Sequence, residues 1–155
     1  MASLTRPFFD TSVLVGGLID MGPNVRSAQQ IMDAIASGRI KEPLTAWHCC
    51  LEFYSVSTRL PEEFRLSSDD AATLVEEELL GRFKIDQLPE RRRRSFIRLV
   101  REDRVTGGRI YDAHIAEIAR ASGASVVVTE NRRDFLGLLR HSLRVLSHAE
   151  FVAEM

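Results

Sequence analysis

Three carboxylates, far apart in the chain, stand where an acid needs a reason. Asp10 follows Phe8-Phe9 and precedes Thr11-Ser12-Val13, where an apolar strand is ending. An ionised carboxylate near a core costs several kcal/mol unless something positive compensates it. In an open parallel sheet, ligands bind beyond the carboxyl ends of the strands, so Asp10 stands where a metal ligand would. The plainer use of the same residue is to cap the turn after the strand. Glu52 is a lone acid in Trp47-His48-Cys49-Cys50-Leu51-Glu52-Phe53-Tyr54-Ser55-Val56. Its helical neighbours are His48, Cys49, Ser55 and Val56. That setting favours a buried carboxylate, with an i,i+4 pair to His48 as the structural alternative. Asp112 falls in the first turn of a helix, where the partial positive charge of the helix end favours an anion and is expected to lower its pKa. A fourth group, Thr129-Glu130-Asn131-Arg132-Arg133-Asp134-Phe135, follows another apolar strand. Thr129 and Asn131 offer neutral oxygens, Asn131 suits a helix cap, and Asp134 is the third residue into the helix that follows.

Carboxylates delivered by strand ends and helix starts can converge at one edge of a sheet. Clustered carboxylates repel one another and are tolerated when hard cations such as Mg²⁺ or Mn²⁺ neutralise them. The useful chemistry of such a cluster is phosphodiester hydrolysis: bound metal holds the phosphate, acidifies a water and steadies the leaving oxygen. No serine or histidine nucleophile is required.

The elements that would position these residues alternate between short apolar runs and helical patterns, which points to a parallel sheet with helices packed around it. A first strand is expected over Phe8–Val15, turning at Gly16-Gly17. Asn24 is expected to cap a helix to about Ser37, with Ala28, Ile31, Met32 and Ile35 on one face and Gly38 as its stop. A second strand is expected at Lys41–Thr45, then a helix from Trp47 to Arg59. Ser67-Ser68-Asp69 starts a helix through Leu80, closed by Gly81, and a third strand runs from Phe83 to Leu88. Pro89 opens the next helix, with Phe96, Leu99 and Val100 inward, and Gly107-Gly108 forms a loop. A periodic helix covers Ile110–Ala121, followed by a buried strand at Ser125–Thr129, where Val126-Val127-Val128 has no polar alternation. A short helix at Arg132–Arg140 and a last strand at Leu143–Leu146 complete the pattern.

The bulk numbers are those of an ordinary globular protein. The 155 residues are 45% hydrophobic and 28% charged, enough for one domain, read as 1–155, with a core that needs no disulfide or zinc staple. With a net charge of −1 there is no global basic field, so any RNA contact must be local. Cys49 and Cys50 are adjacent, a poor spacing for a bridge and no zinc pattern, which reads as a reducing cytoplasm. Residues 1–7 carry no secretory pattern, and no apolar run approaches the ~20 residues of a membrane helix.

With those residues in place, nearly the whole chain resembles the PIN-domain superfamily, and most closely the VapC-type toxin endoribonucleases of bacterial toxin–antitoxin pairs. The resemblance is carried by Phe9-Asp10-Thr11-Ser12-Val13-Leu14, by Glu52, by Tyr111-Asp112-Ala113-His114-Ile115-Ala116 and by Thr129-Glu130-Asn131-Arg132-Arg133-Asp134-Phe135. It implies a three-layer α/β/α fold with a five-stranded parallel sheet, a homodimer, a VapB-like antitoxin partner, and Mg²⁺- or Mn²⁺-dependent cleavage of single-stranded or looped RNA in the cytoplasm. Asp10, Glu52 and Asp112 match the family's three acidic ligands. Many relatives carry Asp where this chain has Asn131; here Asp134 is taken as the fourth carboxylate, with Asn131 and Thr129 as neutral partners. Thr11 or Ser12 would orient Asp10 or bind a metal-bound water.

Other features have two uses. Arg91-Arg92-Arg93-Arg94 point around a helix and read as a solvated end rather than a flat RNA-binding patch, whereas Arg109, Arg132 and Arg133 lie nearer the acids and are better placed to guide phosphate. His48 and His114 read as packing residues beside Glu52 and Asp112, or else as partners that orient those acids, and His141 and His148 as surface residues. Trp47, Tyr54 and Tyr111 could stack on bases, although the spacing favours core packing for Tyr54. Two competing functions remain: a catalytically impaired PIN-fold domain that binds RNA or protein, and a metal-dependent phosphatase. The second usually needs an acid two residues after the first, where this chain has Ser12.

Overall fold

Five short strands lie parallel in one sheet, in the order β3-β2-β1-β4-β5. They are β1 (Pro7–Phe9), β2 (Leu44–Ala46), β3 (Lys84–Asp86), β4 (Val126–Val128) and β5 (Arg144–Leu146). The structure, a computed structural model, describes residues 4–136 and 143–155. Helices cover the sheet: α1 (Thr11–Leu18), α2 (Arg26–Ala36), α3 (Trp47–Ser57), α4 (Ser68–Leu74), α5 (Arg93–Glu102), α6 (Arg109–Ala121), α7 (Arg132–Leu136) and α8 (His148–Glu154). This is the layered α/β/α architecture with a five-stranded parallel sheet that the sequence pattern implies.

The central strands are apolar on both faces because helices cover both. β1, β2 and β4 are buried throughout, while edge strand β3 is not. Phe9 packs edge-on against Phe83, with ring centroids 6.1 Å apart, and against Phe151 at 5.3 Å, which ties β1 to α8. Each fully buried Phe of this kind contributes roughly 1.5–3 kcal/mol through burial alone.

The chain turns away from extended structure earlier than its apolar run suggests. The expected strand over Phe8–Val15 ends at Phe9, and Asp10 caps a helix that continues to Leu18. Gly16 and Gly17 are therefore no turn. They lie inside α1 where α2 crosses it closely: a Cβ on Gly17 would stand 2.2 Å from Met32 Cγ and 2.8 Å from the Ala28 carbonyl oxygen. Asn24 belongs to a 3₁₀ turn (Pro23–Val25), and α2 begins at Arg26 without a side-chain cap. Strand β2 lies later than Lys41–Thr45 because its partners set the register, Leu44 opposite Phe8 and Lys84. The helix after Ser67 widens into a π-helical stretch (Val75–Leu80). Pro89 precedes a 3₁₀ turn (Glu90–Arg92) before α5. The expected helix Arg132–Arg140 is seen as α7 to Leu136; residues 137–140, and His141, lie outside the described residues. Helix α8, absent from the sequence reading, is closed at its start by a capping box between Ser147 and Glu150.

Among the described residues no helix is long and apolar enough to cross a membrane. Cys49 and Cys50 are free and buried.

Candidate active site

The strand order reverses at β1. The chain builds β2 and β3 on one side of it and returns to place β4 on the other. The crevice beyond the carboxyl ends of β1 and β4 is a topological switch point, the place where open α/β sheets bind ligands. Asp10 follows β1 there, and Thr129, Glu130 and Asn131 follow β4.

Asp10 is 3% exposed, yet it is surrounded by donors. Its Oδ1 accepts from the Ser12 N–H (3.0 Å) and the Ser12 hydroxyl (2.5 Å), and its Oδ2 accepts from the Thr129 hydroxyl (2.6 Å). It is both the cap of α1 and a buried acid, so the two uses seen in the sequence coexist. Burial nonetheless outweighs these hydrogen bonds and pushes its pKa up to about 6.

Glu52 sits on α3, which starts directly after β2. It is 41% exposed rather than buried, because its Oε1 turns toward His48 Nε2 (3.1 Å) and accepts from the Thr11 hydroxyl (3.2 Å). The pair with His48 thus forms, and Thr11 links the start of α1 to α3. Asp112, in the first turn of α6, is half-buried. Its pKa is raised rather than lowered: burial, then Asp134, then Glu52 act against ionisation, and Arg109 and His48 only partly offset them. The helix-end effect expected from sequence is thus outweighed by desolvation and like charge. Asp134 is the third residue of α7, as expected, and its charge is felt at Asp112. Asn131 is exposed, and its backbone N–H donates to Thr129 Oγ1 (2.9 Å).

At this crevice Asp10 is bonded to Ser12 and Thr129, Glu52 is bonded to Thr11, and Asp112 feels the charges of Asp134 and Glu52. Thr11, Ser12, Glu52, Glu130, Asn131 and His148 line a cleft of about 380 Å³ within it. Among the expected phosphate guides, Arg109 is exposed and acts on Asp112, Arg132 pairs with Glu150 (2.9 Å), and Arg133 is exposed. In the arginine run, Arg91, Arg93 and Arg94 are exposed and Arg92 reaches Glu117 at 3.7 Å. Trp47, Tyr54 and Tyr111 are 40%, 38% and 58% exposed, so Tyr54 is not a core residue.

Two residues of the site were missed. His148, read as a surface residue, is 6% exposed, with Nε2 3.1 Å from Ser12 Oγ. Glu130 accepts from the His148 N–H (3.0 Å), and its own N–H donates to Ser12 Oγ (3.2 Å). The signal that could have found His148 is the Ser147-x-x-Glu150 pattern before Phe151, which starts a helix right after an apolar strand.

The donor set suits a hard divalent cation. It is all oxygen, and at Asp112 the charges of Asp134 and Glu52 add to burial in opposing ionisation, with Arg109 and His48 acting against them. Among the described residues no three Asp, Glu, His or Cys side chains stand as a ready ligand group.

Residues 6–133 match the family model of the PIN domain. The chain belongs to the PIN-domain family. The matched stretch takes in Asp10, Glu52, Asp112 and Asn131 and stops just short of Asp134 and α8. Ribonuclease VapC27 of Mycobacterium tuberculosis is 35% identical over 98 residues, which are 60% of this chain and 65% of that relative, just under two thirds of its length. PAE2754 from Pyrobaculum aerophilum has a similar fold (TM-score 0.63, 17% identity, 99% of this chain and 97% of that one). So does a chain in the structure of VapBC2 from Rickettsia felis bound to a DNA fragment from their promoter (TM-score 0.64, 16% identity, 92% and 98%). At such identities these two structures show a likeness of fold alone.

Proposed function

We propose that this PIN domain is a Mg²⁺- or Mn²⁺-dependent endoribonuclease and the toxin component of a VapBC-like type II toxin–antitoxin system. The observation that carries the reading is the set of acids at the switch point: Asp10 buried between the Ser12 and Thr129 hydroxyls, and Asp112 within electrostatic reach of Asp134 and Glu52. Such an arrangement is uphill unless a cation completes it. The relative named as a ribonuclease supports RNA as the substrate.

Asp10, Glu52, Asp112 and Asp134 would hold the metal, with Asn131 as a neutral contributor. Bound there, one or two divalent cations supply Lewis acidity to a phosphodiester and lower the pKa of water. The chain's own residues do the positioning. Ser12 and Thr129 fix the Asp10 carboxylate from both oxygens, and Thr11 and His48 fix Glu52. Arg109 and Arg133 are exposed beside the acids, where they would steer phosphate.

Residues 1–155 act as one unit in this reading, in the cytoplasm. The partners are a second copy of the chain and a VapB-like antitoxin, the latter supported by the VapBC2 relative. Self-association is supported by an apolar face beside the site, where Trp47, Leu51, Ile97 and Tyr111 are 40–58% exposed.

The test is cleavage of a mixed set of structured RNAs by the purified protein in Mg²⁺, Mn²⁺ or EDTA, beside Asp10→Asn. Metal-dependent cutting by the wild type and none by the variant is expected. Equal cutting by the two proteins, or cutting in EDTA, would overturn the assignment.

A further inference from the structure

Ser12 has one proton to donate and two lone pairs with which to accept, and three neighbours claim them. Asp10 Oδ1 lies 2.5 Å away, the Glu130 N–H 3.2 Å away and His148 Nε2 3.1 Å away. An ionised Asp10 can only accept, so it takes the Ser12 proton. The Glu130 N–H can only donate, so it takes one lone pair. The position left for His148 is that of a donor, which requires the tautomer with hydrogen on Nε2. With its hydroxyl proton committed to Asp10, Ser12 is no nucleophile, although a serine, a histidine and a glutamate stand in line.

We infer that His148 is a positioning residue for the reaction: through Nε2–H it locks the Ser12 hydroxyl onto Asp10 and so orders the carboxylate that receives the metal. This rests on the metal-dependent nuclease reading above. The histidine is held for the task. Its backbone N–H bonds Glu130 Oε1 at 3.0 Å, and its Nδ1 lies 3.3 Å from the same oxygen. The helix that begins with it is capped by Ser147 and Glu150, anchored to β1 by Phe151 against Phe9, and tied to α7 by the Arg132–Glu150 ion pair. With Nε2–H on Ser12 and Nδ1 facing the Glu130 carboxylate, both ring nitrogens have acceptors, and the attraction of Glu130 partly offsets the burial that favours the neutral ring. The chain therefore brings a residue from its last helix to a serine in the first turn of α1, 136 positions away.

The experiment is calorimetric titration of the full-length protein with Mn²⁺ for wild type, His148→Leu, His148→Gln, Ser12→Ala and the Ser12→Ala/His148→Leu double variant, with kcat and KM for a cleaved RNA alongside. Loss of an outer partner of a metal ligand typically costs about 10–100-fold in affinity or activity. His148→Leu is expected to weaken Mn²⁺ binding about tenfold and to lower kcat with KM unchanged. His148→Gln, whose amide can donate from a similar place, is expected to recover most of both. The double variant is expected to bind no more weakly than Ser12→Ala alone, because His148 acts through Ser12. Should the leucine variant fail to fold, His148→Asn, polar but too short to reach, takes its place. Wild-type affinity in the leucine or asparagine variant, or additive losses in the double variant, would overturn the inference while leaving the nuclease reading intact. A wild type that neither binds Mn²⁺ nor cuts RNA would sink both.

Discussion

At the residue scale, Asp10 ties stability to chemistry. Its folded pKa of about 6 lies above the ordinary 3.8, so the metal-free folded state holds this proton more tightly than the unfolded chain does. Below pH 3.8 both states are protonated and the burial cost is absent. As pH rises through the window from about 3.8 to about 6, the unfolded chain ionises first and stability is lost; above it the loss is complete. Two pKa units correspond to about 3 kcal/mol. Asp10→Asn in EDTA is therefore expected to be more stable than wild type by on the order of 1–3 kcal/mol at pH 8, and about equal to it at pH 4. Urea melts at the two pH values check this, and a wild type more stable than the variant at pH 8 would show that Asp10 is compensated by something other than metal. The placement of Asp10 at a strand's end and of Asp112 and Asp134 in first helical turns was legible in the sequence. The direction of the Asp112 shift was not: it depends on Asp134 and Glu52, which meet it only through the fold.

At the element scale, the close crossing of α1 and α2 is what lets Asp10 cap a helix rather than end a loop. Their shared surface contains Gly16 and Gly17, and a side chain at Gly17 would meet both Met32 Cγ and the Ala28 carbonyl oxygen. Met32 can swing aside, but the carbonyl belongs to a helix backbone and cannot. Gly17→Ala, which would favour a helix by propensity alone, is thus expected to destabilise by about 1–3 kcal/mol through overpacking, measured by urea unfolding. A stabilised variant would mean that the helices separate easily. The same pair of glycines explains why the sequence reading ran the first strand to Val15. Glycine pairs usually mark turns, and only the partner helix reveals that these two make room for a close approach. Long periodic helices such as α6 and unbroken apolar runs such as β4 were legible because their pattern needs no partner to be read. The short helix α8 was not, since its seven residues carry little periodicity.

At the scale of the whole molecule, the sheet order places one carboxylate from the first strand's end beside groups that arrive more than a hundred residues later, with Thr129 bonded to Asp10 across 119 positions. A cation bound at that junction would cross-link β1, α3, α6 and α7, elements that the unfolded chain cannot hold together. Ligands that bind only the folded state stabilise it by RT ln(1 + [L]/Kd), about 2.7 kcal/mol at a hundredfold excess over Kd. For a chain of this size that is a rise in Tm of roughly 5–11 °C. Mn²⁺ is therefore expected to raise the melting temperature of wild type at pH 8, and less at pH 5, where protons compete for Asp10. The rise should be lost in Asp10→Asn, even though that variant starts from the higher baseline argued above. Differential scanning calorimetry with and without EDTA separates the two effects. An equal rise in wild type and Asp10→Asn would place the stabilising cation elsewhere on the molecule and remove the thermodynamic basis for a metal at the β1–β4 junction.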